Sequence, residues 1–224
     1  MEINSKKQLN FHFDVLPRKA KKALDFLSEQ NWLRDPSWYL AGGSALALQA
    51  GHRRSVDLDF FSRRKDIDTE DLLRNFYGNK NWLVDIRGKN TVYGKLFGVK
   101  VSFIAYPFFI PKEIPKQYGF IRILPEIDIA AMKVIAISQR GKKRDFFDLY
   151  WCVKNIKPLE DIVRRLKIQY PSVAHDYHHI LKSLVYFDDA ESDPEPKIYL
   201  KISWKEVKRF FIKEVPLIAE KLIR

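Results

Sequence analysis

The segment Val56-Asp57-Leu58-Asp59-Phe60 alternates large apolar residues with carboxylates. In an extended chain successive side chains leave opposite faces, so Val56, Leu58 and Phe60 share one face and Asp57 and Asp59 the other. The apolar face demands a sheet and a packed layer beneath it. The two carboxylates, with Cα atoms roughly 6.6 Å apart, repel each other unless a cation lies between them, and both reach one hard cation through oxygen. A solvated edge strand gives the same alternation, so the pattern alone leaves both readings open.

The residues upstream narrow the choice. Trp38-Tyr39-Leu40 is a short strand that ends at Gly42-Gly43, and Ser44 to Ala50 contains strong helix formers stopped by Gly51. Glycines at a strand-to-helix turn let backbone N–H groups approach a phosphate, and the helix dipole favours the anion. Ser44 either donates its hydroxyl to that anion or acts as an ordinary N-cap. A phosphate cradle one helix away from a metal site is what phosphoryl transfer requires, because the metal must bridge phosphate oxygens.

Elsewhere, Pro17 to about Asn31 carries Ala20, Leu24 and Leu27 at helical spacing, and Thr69 to Tyr77 reads as a helix capped by Thr69. Residues 82 to 105 hold three β-branched runs separated by Gly88-Lys89-Asn90 and Gly98, an antiparallel meander. A proline-studded connector (Pro107, Pro111, Pro115) leads to a short strand near 120–124. Beyond Pro125, residues 126–139, 144–154, 158–169, 172–187 and 203–223 have helical periodicity, interrupted by Gly141, Pro158, Pro171 and the acidic loop DDAESDPEP, read as a solvated linker. The expected architecture is α/β of the α+β kind. Residues 1–124 form a core of mixed sheet and flanking helices, and residues 125–224 a mainly helical region that completes the active site.

Forty Lys and Arg against 28 Asp and Glu leave a net charge of +12, which favours a polyanionic partner such as nucleic acid or a nucleoside triphosphate. The single cysteine, Cys152, lies in an apolar helical run, so disulfides and cysteine metal sites have no raw material. The N-terminus, MEINSKKQLNFHFDVLPRK, places charges where a secretory signal needs apolar residues, and no window approaches about 18 uninterrupted apolar residues. A cytoplasmic location without membrane association is expected.

The order Gly-Gly-Ser, then Ser-x-Asp-x-Asp-Phe-Phe (Ser55 to Phe61), resembles the DNA polymerase beta-type nucleotidyltransferases. Lys133 in AAMKVIAISQRGKKRDFFDLY, followed by Arg140 and by Arg144 to Tyr150, is similar to the pattern of the AbiEii/AbiGii toxin family. These blocks span roughly residues 39 to 151; the tail from about 155 carries no matching motif. The resemblance implies a polymerase beta-like sheet and a magnesium-dependent enzyme, the toxin of a toxin–antitoxin pair with a cognate antitoxin. That enzyme moves a nucleotide from a nucleoside triphosphate to an acceptor, which in relatives can be the 3′ end of tRNA. It further implies that Asp57 and Asp59 bind Mg²⁺, that Gly42, Gly43 and Ser44 hold the triphosphate, that Lys133 and Arg140 contact nucleotide phosphate, and that Asp148 matches a later catalytic acidic motif.

Members of that superfamily also place a third carboxylate on a later strand, where this chain has Ser102 within Val99-Lys100-Val101-Ser102-Phe103. That removes the obvious general base for the acceptor hydroxyl. It motivates an alternative, a non-catalytic nucleotide-binding or regulatory protein; Asp85, at the end of the WLVD strand, is an acidic substitute that no motif supports. A nuclease or glycosyltransferase built on the Asp-x-Asp pair has no second motif. Lys133 lies on an otherwise apolar helix face and must point into a polar site or snorkel to solvent. Asp145 and Asp148 share a face with spacing that a surface salt-bridge network would also give. His175, His178 and His179 read as a half-exposed cluster, and Phe146, Phe147, Tyr150 and Trp151 as core. The basic runs Arg53-Arg54, Arg63-Arg64-Lys65 and Lys142-Lys143-Arg144 read as solvated loops, with steering of triphosphate or RNA as the alternative for the two that flank the Asp pair.

Overall fold

The computed structural model describes residues 11–222, so most of the N-terminal stretch inspected for a secretory signal lies outside the described residues. Seven strands, β1 (Trp38–Ala41), β2 (Leu58–Ser62), β3 (Trp82–Arg87), β4 (Thr91–Leu96), β5 (Val99–Ala105), β6 (Lys116–Tyr118) and β7 (Ile121–Ile123), form one sheet in the order β3-β4-β5-β2-β1-β7-β6. Strand β2 runs antiparallel to β1 and parallel to β5, and β1 runs parallel to β7. The helices are α1 (Arg18–Ser28), α2 (Gly42–Ala50), α3 (Thr69–Arg74), α4 (Glu126–Arg140), α5 (Lys143–Asn155), α6 (Leu159–Arg164), α7 (Leu166–Gln169), α8 (Tyr177–Ser183), α9 (Asp188–Glu191) and α10 (Trp204–Leu222). None of the described helices is long and apolar enough to cross a membrane.

One face of the central strands buries Leu58, Phe60, Val101 and Phe103. Phe103 is the hub of an aromatic cluster, with ring centroids 5.2 Å from Phe60, 5.4 Å from Trp32, 5.6 Å from Trp38 and 5.9 Å from Phe76. Burial of these rings is the largest favourable contribution on that side. The opposite face carries Asp59 and Phe61 on β2 beside Ser102 and Ile104 on β5, pairs fixed by register. Helix α4 walls that face with Ile129, Met132, Lys133 and Ala136, which recur at helical spacing.

The structure departs from the expectations at several points. Asp57 and Val56 precede β2 rather than lying within it, and Val56 is exposed because the chain approaches the sheet from outside before pairing begins at Leu58. The cap of α3 is Asp68, whose carboxylate accepts from the Glu70 and Asp71 N–H groups, and not Thr69. The proline-rich connector contains β6, which turns into β7 at Gly119 with φ of +56°. Residues 158–169 form two short helices, and 172–176 are not helical before α8.

The acidic loop is not a bare linker. It forms α9 with Ala190 buried; Asp193 accepts from the Lys143 N–H and Lys142 Nζ, and Glu191 pairs with Lys208.

At Gly94 on β4 an added Cβ would stand 2.6 Å from the Leu83 carbonyl oxygen and 2.5 Å from the Trp82 ring. Backbone cannot yield cheaply, so Gly94→Ala is expected to cost about 1–3 kcal/mol in urea unfolding and to loosen β3.

Candidate active site

Asp59 projects from β2 between Ala41 on β1 and Ser102 on β5. The Ser102 hydroxyl donates to Asp59 Oδ1 at 2.6 Å, so the serine occupies the place beside Asp59 where a third carboxylate was sought. The glycine turn is shaped by close approach. Gly42 has φ of +70°, and a Cβ there would lie 3.1 Å from Asp59 Oδ2; a Cβ on Gly43 would lie 2.3 Å from Arg53 Nη2. The Ser44 side chain is buried, 2.9 Å from Ser55 Oγ, and its hydroxyl donates to the Asp57 carbonyl oxygen. Its hydroxyl therefore ties down the loop that presents Asp57, a role that sequence patterning did not suggest. Burial, and then the neighbouring Asp59 charge, push the Asp57 carboxyl up from its ordinary range.

Behind this loop lies a buried ionic cluster. Lys133 Nζ contacts Asp145 Oδ1 at 2.6 Å and Asp148 Oδ2 at 2.5 Å. Arg53 grips Asp148 in a fork, Nε to Oδ1 at 2.6 Å and Nη2 to Oδ2 at 2.8 Å, and His52 Nε2 is 2.7 Å from Oδ1. Arg140, half exposed, reaches Asp145 Oδ2 at 3.1 Å. Burial opposes the Asp148 charge, yet Arg53, Lys133 and the bonds from Arg53 and His52 outweigh it and hold the carboxyl well below the usual range. Burial likewise opposes the Lys133 charge, and Asp145 and Asp148 outweigh it, so the ammonium is held above its ordinary value. Burial lowers His52 despite Asp148, leaving a neutral ring whose Nε2 donates. Asp145 and Asp148 are thus buried partners of Lys133 and not a surface network.

A pocket of about 610 Å³ joins these parts. Gly42, Gly43, Ser44, Asp57, Asp59, Lys133 and Arg140 all line it, whereas Asp148 lies off its lining, beneath Lys133. Sequence patterning missed Arg53, filed among solvated basic runs although buried, and the aromatic lining of Phe61, Tyr106 and Tyr170. A buried Arg shows no periodic signal; only its partner, 95 residues away, explains it. Asp85 also lines the pocket at a bulge between Val84 and Ile86, and pairs with Lys95 at 3.6 Å. It sits three strands from Asp59, roughly 14 Å across the sheet, too far to share its chemistry. Among the described residues no group of three or more His, Cys, Asp or Glu is arranged to hold a metal. His175 Nε2 and His179 Nε2 instead lie 3.1 Å from the Tyr170 and Ser138 carbonyl oxygens.

Removing one partner from a buried charge cluster leaves the others uncompensated. Asp148→Asn is expected to cost about 3–5 kcal/mol in chemical denaturation at neutral pH. Because the Asp148 carboxyl is depressed on folding, its contribution is present above the unfolded value of about 3.9 and fades as pH falls. The wild-type advantage over the variant should therefore shrink toward pH 3.

Comparison with known proteins places this geometry. The sequence pattern described as "Nucleotidyl transferase AbiEii toxin, Type IV TA system" matches residues 97–223, more than half of the chain. The match takes in Ser102, Lys133, Arg140 and Asp148, and it extends through the C-terminal tail, where no motif had been apparent. An uncharacterized protein of Aquifex aeolicus (strain VF5) is 35% identical over 210 residues, covering 89% of this chain and 96% of that one. Among solved structures, an H. pylori protein assigned as a nucleotidyltransferase aligns with a TM-score of 0.53 at 20% identity, over 92% of this chain and 97% of that one. MenT4, a nucleotidyltransferase toxin from Mycobacterium tuberculosis H37Rv, aligns with a TM-score of 0.51 at 17% identity, over 89% and 86%. At such identities the likeness is one of fold, the polymerase beta-like mixed sheet with helices. With its family pattern matched over most of its second half and its fold shared with such enzymes, the chain belongs to the AbiEii family of nucleotidyl transferase toxins, from type IV toxin–antitoxin systems.

Proposed function

We propose that the pocket binds a nucleoside triphosphate across the Gly42–Ser44 turn and transfers its nucleotidyl group to a hydroxyl of an RNA acceptor, such as the 3′ end of tRNA. The observation that carries this reading is the convergence of Asp57, Asp59, the glycine turn, Lys133 and Arg140 on one pocket. The acceptor oxygen forms a bond to the α-phosphorus as the bond to pyrophosphate breaks in line, and the hydroxyl proton passes to water.

The donor set at Asp57 and Asp59 fits a hard divalent cation, magnesium being the one expected: both offer oxygen, and the Asp59 charge, which after burial pushes Asp57 up, is repulsion that such a cation relieves. When bound, it supplies neutralisation of the phosphate oxygens. The Gly42 and Gly43 N–H groups orient the phosphates. Two of the three Lys133 donors are taken by Asp145 and Asp148, which position the ammonium, and the third offsets charge on the departing pyrophosphate.

A second pocket, of about 480 Å³, shares Arg53, Ser55, Asp57 and Arg144 with the first and adds Arg54, Lys142 and Lys197. Lys142 is paired with Asp193 and Arg53 with Asp148, which leaves Arg54, Arg144 and Lys197, beside Glu195, as the cations that suit a polyanionic acceptor strand near Asp57. As a type IV family member the chain is expected to be opposed by a cognate antitoxin and to act in the cytoplasm.

Incubation with labelled nucleoside triphosphates, magnesium and total RNA tests the transfer. Asp57→Ala is expected to lose several kcal/mol of transition-state stabilisation, roughly a 10³-fold drop in labelling; equal labelling by both proteins sinks the proposal. Ser102 favours one rival, a protein that binds nucleotide without transferring it; wild type that binds triphosphate yet releases no pyrophosphate with any RNA would establish that rival. A separate check is thermal. Asp57 is raised on folding, so its charge opposes stability at neutral pH. Asp57→Asn should melt no lower than wild type without metal, and magnesium should raise the melting temperature of wild type alone.

A further inference from the structure

The sheet face that carries Asp59 does not stop at Ser102. Register continues it outward, with Ser102 on β5 opposite Tyr93 on β4, and Tyr93 opposite Ile86 on the edge strand β3. Cross-strand partners share a face, so Asp59, Ser102, Tyr93 and Ile86 make one row. Tyr93 lies two strands from Asp59, roughly 10 Å across the sheet. In the next row Lys100 stands opposite Lys95, and Lys95 opposite Leu83. Lys100 is two residues before Ser102 and therefore on the same face.

This outer part of the face is bare. Leu83 is 64% exposed, Ile86 60% and Tyr93 41%, although Ile86, Tyr93 and Lys100 line the same pocket as Asp57 and Asp59. An exposed apolar strip of this kind marks a site of interaction. Like charges directly opposite on neighbouring strands also destabilise a sheet. Lys95 is eased by Asp85 at 3.6 Å, whereas Lys100 is exposed and forms no ion pair among the described residues. An apolar protein partner would have to desolvate both ammonium groups without compensating them. A single nucleic-acid strand suits the surface better, because its bases stack on aromatic side chains while its phosphates follow the cations.

We propose that the outer face of β3, β4 and β5 seats the unpaired end of the acceptor RNA, with Tyr93 and Ile86 beneath its terminal base and Lys100 and Lys95 along its phosphates. The acceptor must then end in a single strand, since bases stacked within a duplex do not offer their faces to a side chain. This rests on the acceptor being RNA. It assigns the end of the strand, and leaves Arg54, Arg144 and Lys197 for phosphates further from that end.

The test is equilibrium binding of the full chain, without nucleotide or metal, to a single-stranded RNA about ten nucleotides long and to the same sequence as a blunt duplex. Wild type should bind the single strand about tenfold more tightly. Tyr93→Ala should lose about tenfold in that affinity, the value of stacking one base, and Tyr93→Phe should restore it. Tyr186→Ala removes a similarly exposed ring that lines neither of the two pockets, and should change nothing. Lys100→Gln should lower the slope of log affinity against log salt by about 0.7, the value of one phosphate contact on a single strand. If wild type favours the duplex, or Tyr93→Ala binds the strand as tightly as Tyr186→Ala, the platform is overturned. A wild-type dimer that Tyr93→Ala dissolves into monomers would give this face to a second copy of the chain and overturn it as well. If the strand binds as expected but no labelled nucleotide is ever transferred to it, the platform stands and the transfer reaction falls.

Discussion

Arg53, Lys133, Asp145 and Asp148 are buried together, and the site exists because their charges compensate one another. Arg53 leaves the loop between α2 and β2, Lys133 leaves α4, and the two carboxylates leave α5, so the cluster ties the sheet half to the helical half of the chain. Exchanging such ions for apolar residues of similar volume is often neutral for stability, so their value here lies in geometry. They fix where the Lys133 ammonium stands at the pocket wall, and they seat the guanidinium against which Gly43 must pack without a Cβ.

The same economy governs the loop that carries Asp57. A serine at the start of α2 holds the backbone of Asp57, and a serine on β5 holds the carboxylate of Asp59. Small polar side chains thereby orient two carboxylates that repel each other and could otherwise turn apart. With Ser102 beside Asp59, the carboxylates at this corner of the pocket are Asp57 and Asp59, and proton removal from the proposed acceptor is not assigned to a third neighbouring carboxylate.

The C-terminal helices acquire a purpose in this arrangement. Asp193, in a loop that sequence patterning treats as solvated, clamps the start of α5 through the Lys143 N–H and Lys142 Nζ. Phe146 and Phe147 on α5 are buried against Phe187, Trp204 and Phe211 from the tail. The face of α5 bearing Asp145 and Asp148 is therefore held toward Lys133 by packing on its other side. A sequence pattern that runs through residue 223 is consistent with that dependence.

The sequence by itself determined what local rules control. Alternation over Leu58–Phe60, the glycine-terminated strand before α2, the meander over 82–105 and the helical periods beyond Pro125 each depend on neighbours a few residues away, and Asp57 and Asp59 stand out because two carboxylates so close together need a reason. Tertiary structure alone decided what depends on partners far along the chain. Arg53 is a basic residue in a loop until Asp148 is placed beside it, and Ser44 is an N-cap until Asp57 folds over it. Tyr170 is one aromatic among many until Tyr106 and Phe109 pack against it. Periodicity reports which face of an element is apolar, but not which distant charge or hydroxyl that face will meet, because the pairing is set by how sheet and helices pack.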